Sequence, residues 1–120
     1  MGPKTFTFSR EERLSGRKRV SELFSEGKNF VHFPFKILHV ARPENTKNRL
    51  LVTVPKRVFH KANVRNKIKR RIREAYRLNK SLFPGEKIID VGLIYISKEV
   101  LTYSFIEKKL LEAFQRFKSV

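Results

Sequence analysis

One segment constrains the fold more than any other feature of the chain. Between Lys56 and Lys80 there are eleven Lys and Arg residues and a single acid, Glu74. Apolar residues recur within it at spacings of three and four, and Pro84-Gly85 stops the pattern. The apolar positions are Val64, Ile68, Ile72, Ala75 and Tyr76. The segment therefore predicts an amphipathic helix that packs one side against the protein and presents cations on another.

The charge of the whole chain requires an anionic partner. The 120 residues include 28 Lys and Arg against 11 Asp and Glu, a formal net charge of +17. Disorder is a poor explanation, because large apolar residues, including 11 Phe, are spread along the chain. Length and composition predict one domain over residues 1–120, with residues 1–12 flexible. The absence of Cys excludes disulfides, Cys-ligated metals and thiol nucleophiles.

Neither a membrane span nor a secretion signal is indicated. The longest apolar stretch, Ile88 to Ile96, is far shorter than a bilayer span and includes Asp90. A basic amphipathic helix can also lie on a membrane surface, but this apolar stripe has no Trp and is needed to cover a sheet. We therefore expect a soluble cytoplasmic protein with no membrane partner.

The cations of the basic helix favour RNA. At about 100° per residue, six polar side chains fall within an arc of roughly 140° beside the apolar stripe. They are Arg65, Asn66, Lys69, Arg70, Arg73 and Arg77. Arginine forms bidentate bonds with phosphate oxygens, and each neutralised phosphate releases counterions. A helix face that binds nothing is disfavoured, because almost no acid at i,i+4 relieves the repulsion between neighbouring cations. DNA is disfavoured as a partner because no second helix precedes this one at helix-turn-helix spacing.

The rest of the chain predicts three further groups of elements. Ser15 caps a helix over Arg17 to Glu26, which ends at Gly27. Period-two alternation predicts strands at Phe35–Val40 and Leu50–Val54, which we expect to form an antiparallel pair. The predicted hairpin loop of that pair is Arg42–Asn48, and Asn63 is the predicted N-cap of the basic helix.

The last third of the chain completes the fold prediction. Ile88–Ile96 reads as a central strand covered on both faces, and Ser104 with Glu107 matches the capping box of a final helix. The class is α+β, a small two-layer α/β sandwich in the order helix, two or three strands, helix, strand, helix. We expect about four strands in a mixed sheet with the basic helix packed on it.

The basic helix also resembles a known family. Arg65 to Arg73 has the pattern Arg-Asn-x-x-Lys-Arg-x-x-Arg, which is similar to the signature helix of the bacterial ribonuclease P protein component. Flanking features agree in type and order: Arg13-Leu14, Leu23-Phe24 before Gly27, and Lys56-Arg57 after a strand. The resemblance covers nearly the whole chain.

The resemblance implies an accessory subunit. Such a protein assists a catalytic RNA that removes the 5′ leader of precursor tRNA with Mg²⁺, and the ion belongs to the RNA. The residues implied to face the catalytic RNA are Arg57, Lys61, Arg65, Asn66, Lys69, Arg70 and Arg73. Those implied to line the cleft for the leader are Val20, Phe24, Lys36, Leu38, Lys56 and Lys98. Val20 and Leu38 stand where many members have aromatic residues, so stacking on the leader should be weaker here.

The residues themselves predict no protein active site and no protein metal site. The only Asp is Asp90, in an apolar strand, and His32, His39 and His60 are dispersed. His39 reads as a packed strand residue. The sequence supports two interpretations of Phe24 equally, a core residue or a platform on which a base stacks.

Two other functions stay open. A ribosomal or ribosome-assembly RNA-binding protein would have similar size and charge, and it is the main alternative. A protein-only endoribonuclease is the least favoured, because the chain offers no arrangement of catalytic groups.

Overall fold

The computed structural model describes residues 12–45, 47–82 and 88–117. Within them the chain forms a helix, three strands, a helix, a strand and a helix, as the sequence predicts. The helices are α1 (Arg17–Glu26), α2 (Ala62–Asn79) and α3 (Tyr103–Phe117), and a short 3-10 turn, Lys80–Leu82, follows α2. The strands are β1 (Lys28–His32), β2 (Phe35–Ala41), β3 (Arg49–Thr53) and β4 (Ile89–Tyr95).

The four strands form one mixed sheet in the order β1-β2-β4-β3. Strand β4 is antiparallel to β2 and parallel to β3, so it lies between the two strands that were expected to pair. The predicted antiparallel pair of β2 and β3, with its hairpin loop, is therefore wrong. Alternation identifies which face each residue occupies but not which strand is the neighbour. The most apolar strand occupies the centre, as expected for a strand buried on both faces.

The two faces of the sheet carry cores of different size. On one face α2 and α3 bury a large core that includes Ile37, Leu93 and Ile72. On the other face α1 covers a small core of Leu14, Leu23 and Leu38. Burying such a side chain contributes about 1.5–3 kcal/mol, so most of the hydrophobic stabilisation lies on the α2 and α3 face. The predicted α+β sandwich is confirmed, with α1 on the face opposite the basic helix.

The helix bounds match the predictions more closely than the caps do. Helix α1 is capped by Gly16, whose φ of 95° suits glycine, and not by Ser15. Helix α2 begins one residue before Asn63, so that predicted cap is wrong. At the start of α3 the hydroxyl of Thr102 accepts a hydrogen bond from the Phe105 amide, 3.3 Å, so the predicted capping box at Ser104 is also wrong.

The N-terminal segment is held against α2 and the edge of the sheet. Glu12 is buried and accepts a hydrogen bond from the Lys80 ammonium, 2.6 Å. The Leu14 amide donates to the Leu50 carbonyl, 2.9 Å. Of the segment predicted to be flexible, only Glu12 is described and it makes the contact with Lys80, whereas residues 1–11 lie outside the described part of the chain. This attachment places Arg13 beside α2.

Candidate nucleic-acid interface

Helix α2 has the predicted amphipathic arrangement. Its buried residues are Ile68, Ile72, Ala75 and Tyr76, which pack into the large core. On the arc beside them, Asn66 and Arg70 are exposed. Lys69, Arg73 and Arg77 are half-buried. The large core therefore supports a row of polar and cationic groups along one side of the helix.

Arg65 has a structural use as well as a charge. Its Nη1 donates to the carbonyl oxygens of Phe59 and His60, at 2.8 and 2.9 Å. The same loop is held by the Phe59 amide, which donates to the Pro55 carbonyl, 3.1 Å. The Phe59 ring is buried 5.9 Å from that of Tyr95. The loop before α2 is thus fixed by its backbone and by Phe59, and its cations Lys56, Arg57 and Lys61 remain exposed.

An open groove runs along α2, and the N-terminal segment contributes one wall. The side chains that line it are Arg13, Asn66, Arg70, Arg73, Glu74 and Arg77. Its one carboxylate, Glu74, accepts two hydrogen bonds from Arg77, at 2.9 and 2.7 Å. Burial and the positive charge of Arg13 both lower the pKa of Arg73, in that order of size. Several guanidinium groups therefore face one groove, an arrangement that an anion such as phosphate stabilises.

Arg13 and Arg77 are not among the residues that the resemblance assigns to the catalytic RNA. Arg77 belongs to the predicted arc on the helix, whereas Arg13 is far from it in the chain. The signal for Arg13 was its place in the Arg13-Leu14 pair, which resembled the family but carried no assigned role. Leu14 is 4% exposed and anchors the segment, and this brings Arg13 to the groove.

A second open surface lies on the α1 face of the sheet. Strand pairing aligns Val31 with Lys36, Lys36 with Ile94, and Ile94 with Thr53, which makes one row across all four strands. Helix α1 covers the next row, where Leu23 sits so close to Gly92 that a Cβ there would lie 3.0 Å from the leucine. The row beside it is left partly accessible: Val31 is 54% exposed, Lys36 is exposed too, and Thr53 and Ile94 are half-buried. We call these four residues the open row.

One flank of α1 faces the open row. Arg19 and Glu22 form ion pairs with residues at the opposite end of β2 and β4. At about 100° per residue, Val20 and Phe24 lie on the other flank, with Leu23 between the two. Phe24 is 50% exposed, whereas Leu23 is completely buried. Phe24 is therefore not a core residue, and its use as a platform for a base stays a prediction.

The structure places three of the six predicted cleft residues, Lys36, Lys56 and Lys98, at one end of the sheet. Lys56 follows β3 and Lys98 follows β4. Because these strands are parallel, both residues lie at the same end of the sheet. The antiparallel β2 begins there with Phe35 and Lys36. Leu38 does not fit the prediction, because it is 4% exposed in the small core beneath α1. The open row adds Val31, Thr53 and Ile94 to the predicted residues of this surface. Only the strand order shows that these three lie beside Lys36, so the sequence alone could not identify them.

This surface has the chemistry of a single-strand binding site. An exposed aromatic ring and aliphatic side chains can stack on bases, and flanking lysines can bind the phosphates between them. It differs from the α2 groove, where guanidinium groups dominate and apolar side chains are lacking. The two surfaces therefore suit different nucleic-acid ligands.

Carboxylates and histidines near these surfaces are engaged elsewhere. His32 lies 2.8 Å from Glu112, and His39 packs with its ring 5.0 Å from that of Phe117. Burial, and to a lesser extent Lys28, lowers the pKa of His39. Across the described ranges, no three His, Asp or Glu side chains are grouped as a metal site requires. None of the helices in those ranges has the length and apolar composition needed to cross a membrane.

Comparison with known proteins gives a consistent result. The family model for Ribonuclease P matches residues 8–118. The Ribonuclease P protein component of Porphyromonas gingivalis is 34% identical over 121 residues, covering 95% of this chain and 88% of that protein. The protein of the same name from Thermotoga maritima is 36% identical over 115 residues, covering 93% of this chain and 97% of its own length.

Solved structures agree in fold. The RNase P protein of Thermotoga maritima superposes with a TM-score of 0.75 at 31% identity, covering 88% of this chain and 96% of that one. The RNase P protein of Staphylococcus aureus gives a TM-score of 0.75 at 24% identity, covering 91% of this chain and 96% of the other, a likeness of fold alone. The family match and the relatives over nearly the full length show that the chain belongs to the ribonuclease P protein component family.

Proposed function

We propose that this chain is the protein subunit of a bacterial ribonuclease P, that it acts in the cytoplasm, and that it assists a catalytic RNA in removing the 5′ leader of precursor tRNA. The observation that carries the proposal is the α2 groove, where Arg13, Arg70 and Arg73 converge beside Asn66. Its geometry suits the closely spaced phosphates of a folded RNA. The role of the protein is then to neutralise charge and to position the substrate.

The groove and the loop before α2 form the proposed interface with the catalytic RNA. The residues concerned are Arg57, Lys61, Arg65, Asn66, Lys69, Arg70 and Arg73, to which the groove adds Arg13. Arg65 contributes by holding the loop, so that Arg57 and Lys61 project from a fixed backbone. Because these groups are mostly cations, they bind phosphates more than bases and confer little base specificity.

The open row and the flank of α1 form the proposed leader site. Phe24 offers a face for a base, Val31 and Ile94 offer apolar contacts, and Lys36 offers a charge for a phosphate. Lys56 and Lys98 add positive charge at the end of the sheet where Lys36 lies. Val20 contributes a short apolar side chain, and buried Leu38 supports the helix from below. A single strand held here favours substrates that carry a leader over mature tRNA.

The chemistry of cleavage remains with the RNA in this proposal. Magnesium prefers grouped carboxylates and phosphates, and the described residues offer no such group of carboxylates. Glu22, Glu74 and Asp90 each accept hydrogen bonds from arginine, which leaves them poorly suited to hold an ion. The ion is therefore assigned to the RNA and its substrate.

The test is cleavage by reconstituted components. The pure protein is mixed with its genome's catalytic RNA and a leader-bearing precursor tRNA at low Mg²⁺, with each component also run alone. We expect multiple-turnover cleavage at the mature 5′ end only when protein and RNA are both present. Cleavage by the protein alone would overturn the accessory role, and no effect of the protein would return the ribosomal alternative.

A further inference from the structure

Helix α1 is attached to the sheet by ion pairs on the flank opposite the open row. Arg42, just after β2, donates to Glu22 Oε1 of α1 at 2.7 Å and to Asp90 Oδ2 of β4 at 3.1 Å. Arg19 of α1 lies 3.5 Å from the same Asp90 oxygen. We call Arg19, Glu22, Arg42 and Asp90 the α1 clamp. The clamp joins the helix to strands β2 and β4. It lies at the end of these strands opposite to the end where Lys36 lies.

The carboxylate of Asp90, at the centre of the clamp, is unfavourable to bury. Asp90 is completely buried, and its other oxygen accepts a hydrogen bond from Asn45, 3.3 Å. A buried carboxylate needs its cationic partners, and apolar replacements for such networks are often as stable. Stability alone therefore does not account for an aspartate between Ile89 and Val91. A network of directional bonds can instead specify one orientation of the helix.

Apart from the clamp, the contacts that hold α1 on the sheet are few: Leu23 and partly buried Val20 pack on the small core, and Leu14 and Gly27 hold the two ends. The helix has ten residues, no side-chain cap at its N-terminus and no acid in its first turn. Its completely buried residue, Leu23, rests on Gly92, which presents no side chain to interlock with it. A short helix whose one completely buried contact is Leu23 over Gly92, with Val20 only partly buried beside it, can rotate about that contact. The ion pairs on one flank resist such a rotation.

We propose that the α1 clamp positions the leader-binding flank of α1 over the open row. If α1 rotates about its contact at Leu23 so that the flank with Arg19 and Glu22 rises from the sheet, Val20 and Phe24 move down onto Lys36 and Ile94. Rotation in the opposite direction moves Val20 and Phe24 away from the open row. Arg19, Glu22, Arg42 and Asp90 are then positioning residues for leader preference, although none of them touches the leader. This inference rests on the proposed leader site.

The decisive variant separates α1 from the clamp and spares its buried centre. Arg19→Gln with Glu22→Gln removes both charges through which the helix joins the clamp and leaves Arg42 to neutralise Asp90. Lys18→Gln with Glu26→Gln is the matched control, because it removes one positive and one negative charge from exposed positions of the same helix. Both proteins are assembled with the catalytic RNA and given two precursor tRNAs, one with a long leader and one with a single-nucleotide leader.

For the clamp variant we expect the preference for the long leader to fall about three- to tenfold, the size expected for two partly exposed ion pairs. The loss should lie in KM for the long-leader substrate. The kcat, the affinity for the catalytic RNA and the cleavage of the single-nucleotide substrate should stay unchanged. Arg19→Lys, which keeps the positive charge, should retain most of the preference. A purely structural role would instead reduce activity on both substrates together.

The outcomes separate this inference from the function on which it rests. If the wild-type protein prefers the long leader and the clamp variant prefers it equally, the positioning role is wrong and the proposed function stands. If the control pair loses as much preference as the clamp pair, the positioning role is also wrong. If the wild-type holoenzyme shows no leader preference, the leader site fails and the positioning role fails with it.

Discussion

Helices α1 and α2 lie on opposite faces of the same sheet and are held there by different forces. Helix α2 packs four buried side chains into the large core, and its cations project from that rigid base. Helix α1 rests on a small core and depends on a network of ion pairs at one flank. Apolar packing tolerates little movement, whereas an ionic attachment is sensitive to single charge changes. RNA affinity and leader selection should therefore be separable by mutation.

The largest effect is expected in the α2 groove. Arg70→Ala with Arg73→Ala should weaken binding to the catalytic RNA by about a hundredfold or more, since charge-assisted bonds contribute about 1.5–3 kcal/mol each. The slope of log affinity against log salt should fall by somewhat less than one for each phosphate that the protein no longer neutralises. Binding titrations at several salt concentrations measure both.

A matched control uses exposed lysines that do not line the groove. Lys67→Ala with Lys108→Ala removes the same charge from exposed positions that do not line it. We expect this pair to change affinity much less. An equal loss in both pairs would mean that net charge, and not the groove, determines binding.

The next largest effect separates the α1 face from the α2 face. Phe24→Ala should reduce discrimination for leader-bearing substrate by about 1–3 kcal/mol, the contribution of one stacked base. It should leave affinity for the catalytic RNA unchanged, because Phe24 lies on the other face of the sheet. Competition between leader-bearing and mature tRNA measures the difference.

Folding controls make this result interpretable. Phe24 is 50% exposed, so its replacement should cost little stability, whereas Leu23→Ala should cost about 2–5 kcal/mol at a completely buried site. Phe24→Leu keeps an apolar side chain without an aromatic face. If Phe24→Leu discriminates as well as the wild type, stacking is not the basis of leader selection.

A smaller effect is expected at the junction between α2 and its loop. Arg65→Ala removes the bonds to the Phe59 and His60 carbonyls, so the Phe59 amide should exchange its hydrogen faster. Affinity for the catalytic RNA should fall less than in the Arg70 and Arg73 pair, because the Arg65 guanidinium is partly occupied by the loop. Hydrogen exchange and titration test the two statements separately. A salt slope reduced by half as much as in the groove pair, the share of one arginine, would instead make Arg65 a full phosphate ligand.

The sequence predicted the two helices unequally well, for a physical reason. The face of α2 follows from local spacing, because residues three and four apart share a side of a helix. The position of α1 depends on contacts between distant segments, such as Arg19 with Asp90, which are 71 residues apart. Spacing predicted α1 as a helix, but nothing local indicates that Arg42 links it to β4. No sequence pattern therefore predicts the α1 clamp.

The strands show the same limit. Alternation assigned Lys36 and Leu38 to one face of β2, and both are on that face. It could not show that α1 covers Leu38 and leaves Lys36 exposed, because coverage depends on where a distant helix packs. The same reasoning explains the mistaken pairing of β2 with β3. The pattern specified faces, whereas the insertion of β4 between them depends on competition among strands.

The smallest expected effect concerns the core side of the sheet and depends on pH. His39 lies between the rings of Phe30 and Phe117, and its pKa is lowered by burial and by Lys28. The unfolded chain, whose His39 has the ordinary pKa of 6.5, then binds a proton more readily than the folded one. Stability should therefore fall as the pH is lowered through about 6.5 and level off below the folded pKa.

Chemical denaturation between pH 5 and pH 8 measures this dependence. His39→Gln should remove this contribution, while His60→Gln, at an exposed loop position, should retain it. Because His39 faces α3 and not the open row, leader preference should stay constant over the range in which stability changes. If leader preference follows the stability curve instead, the two faces of the sheet are coupled, and the separation between α1 and α2 functions does not hold.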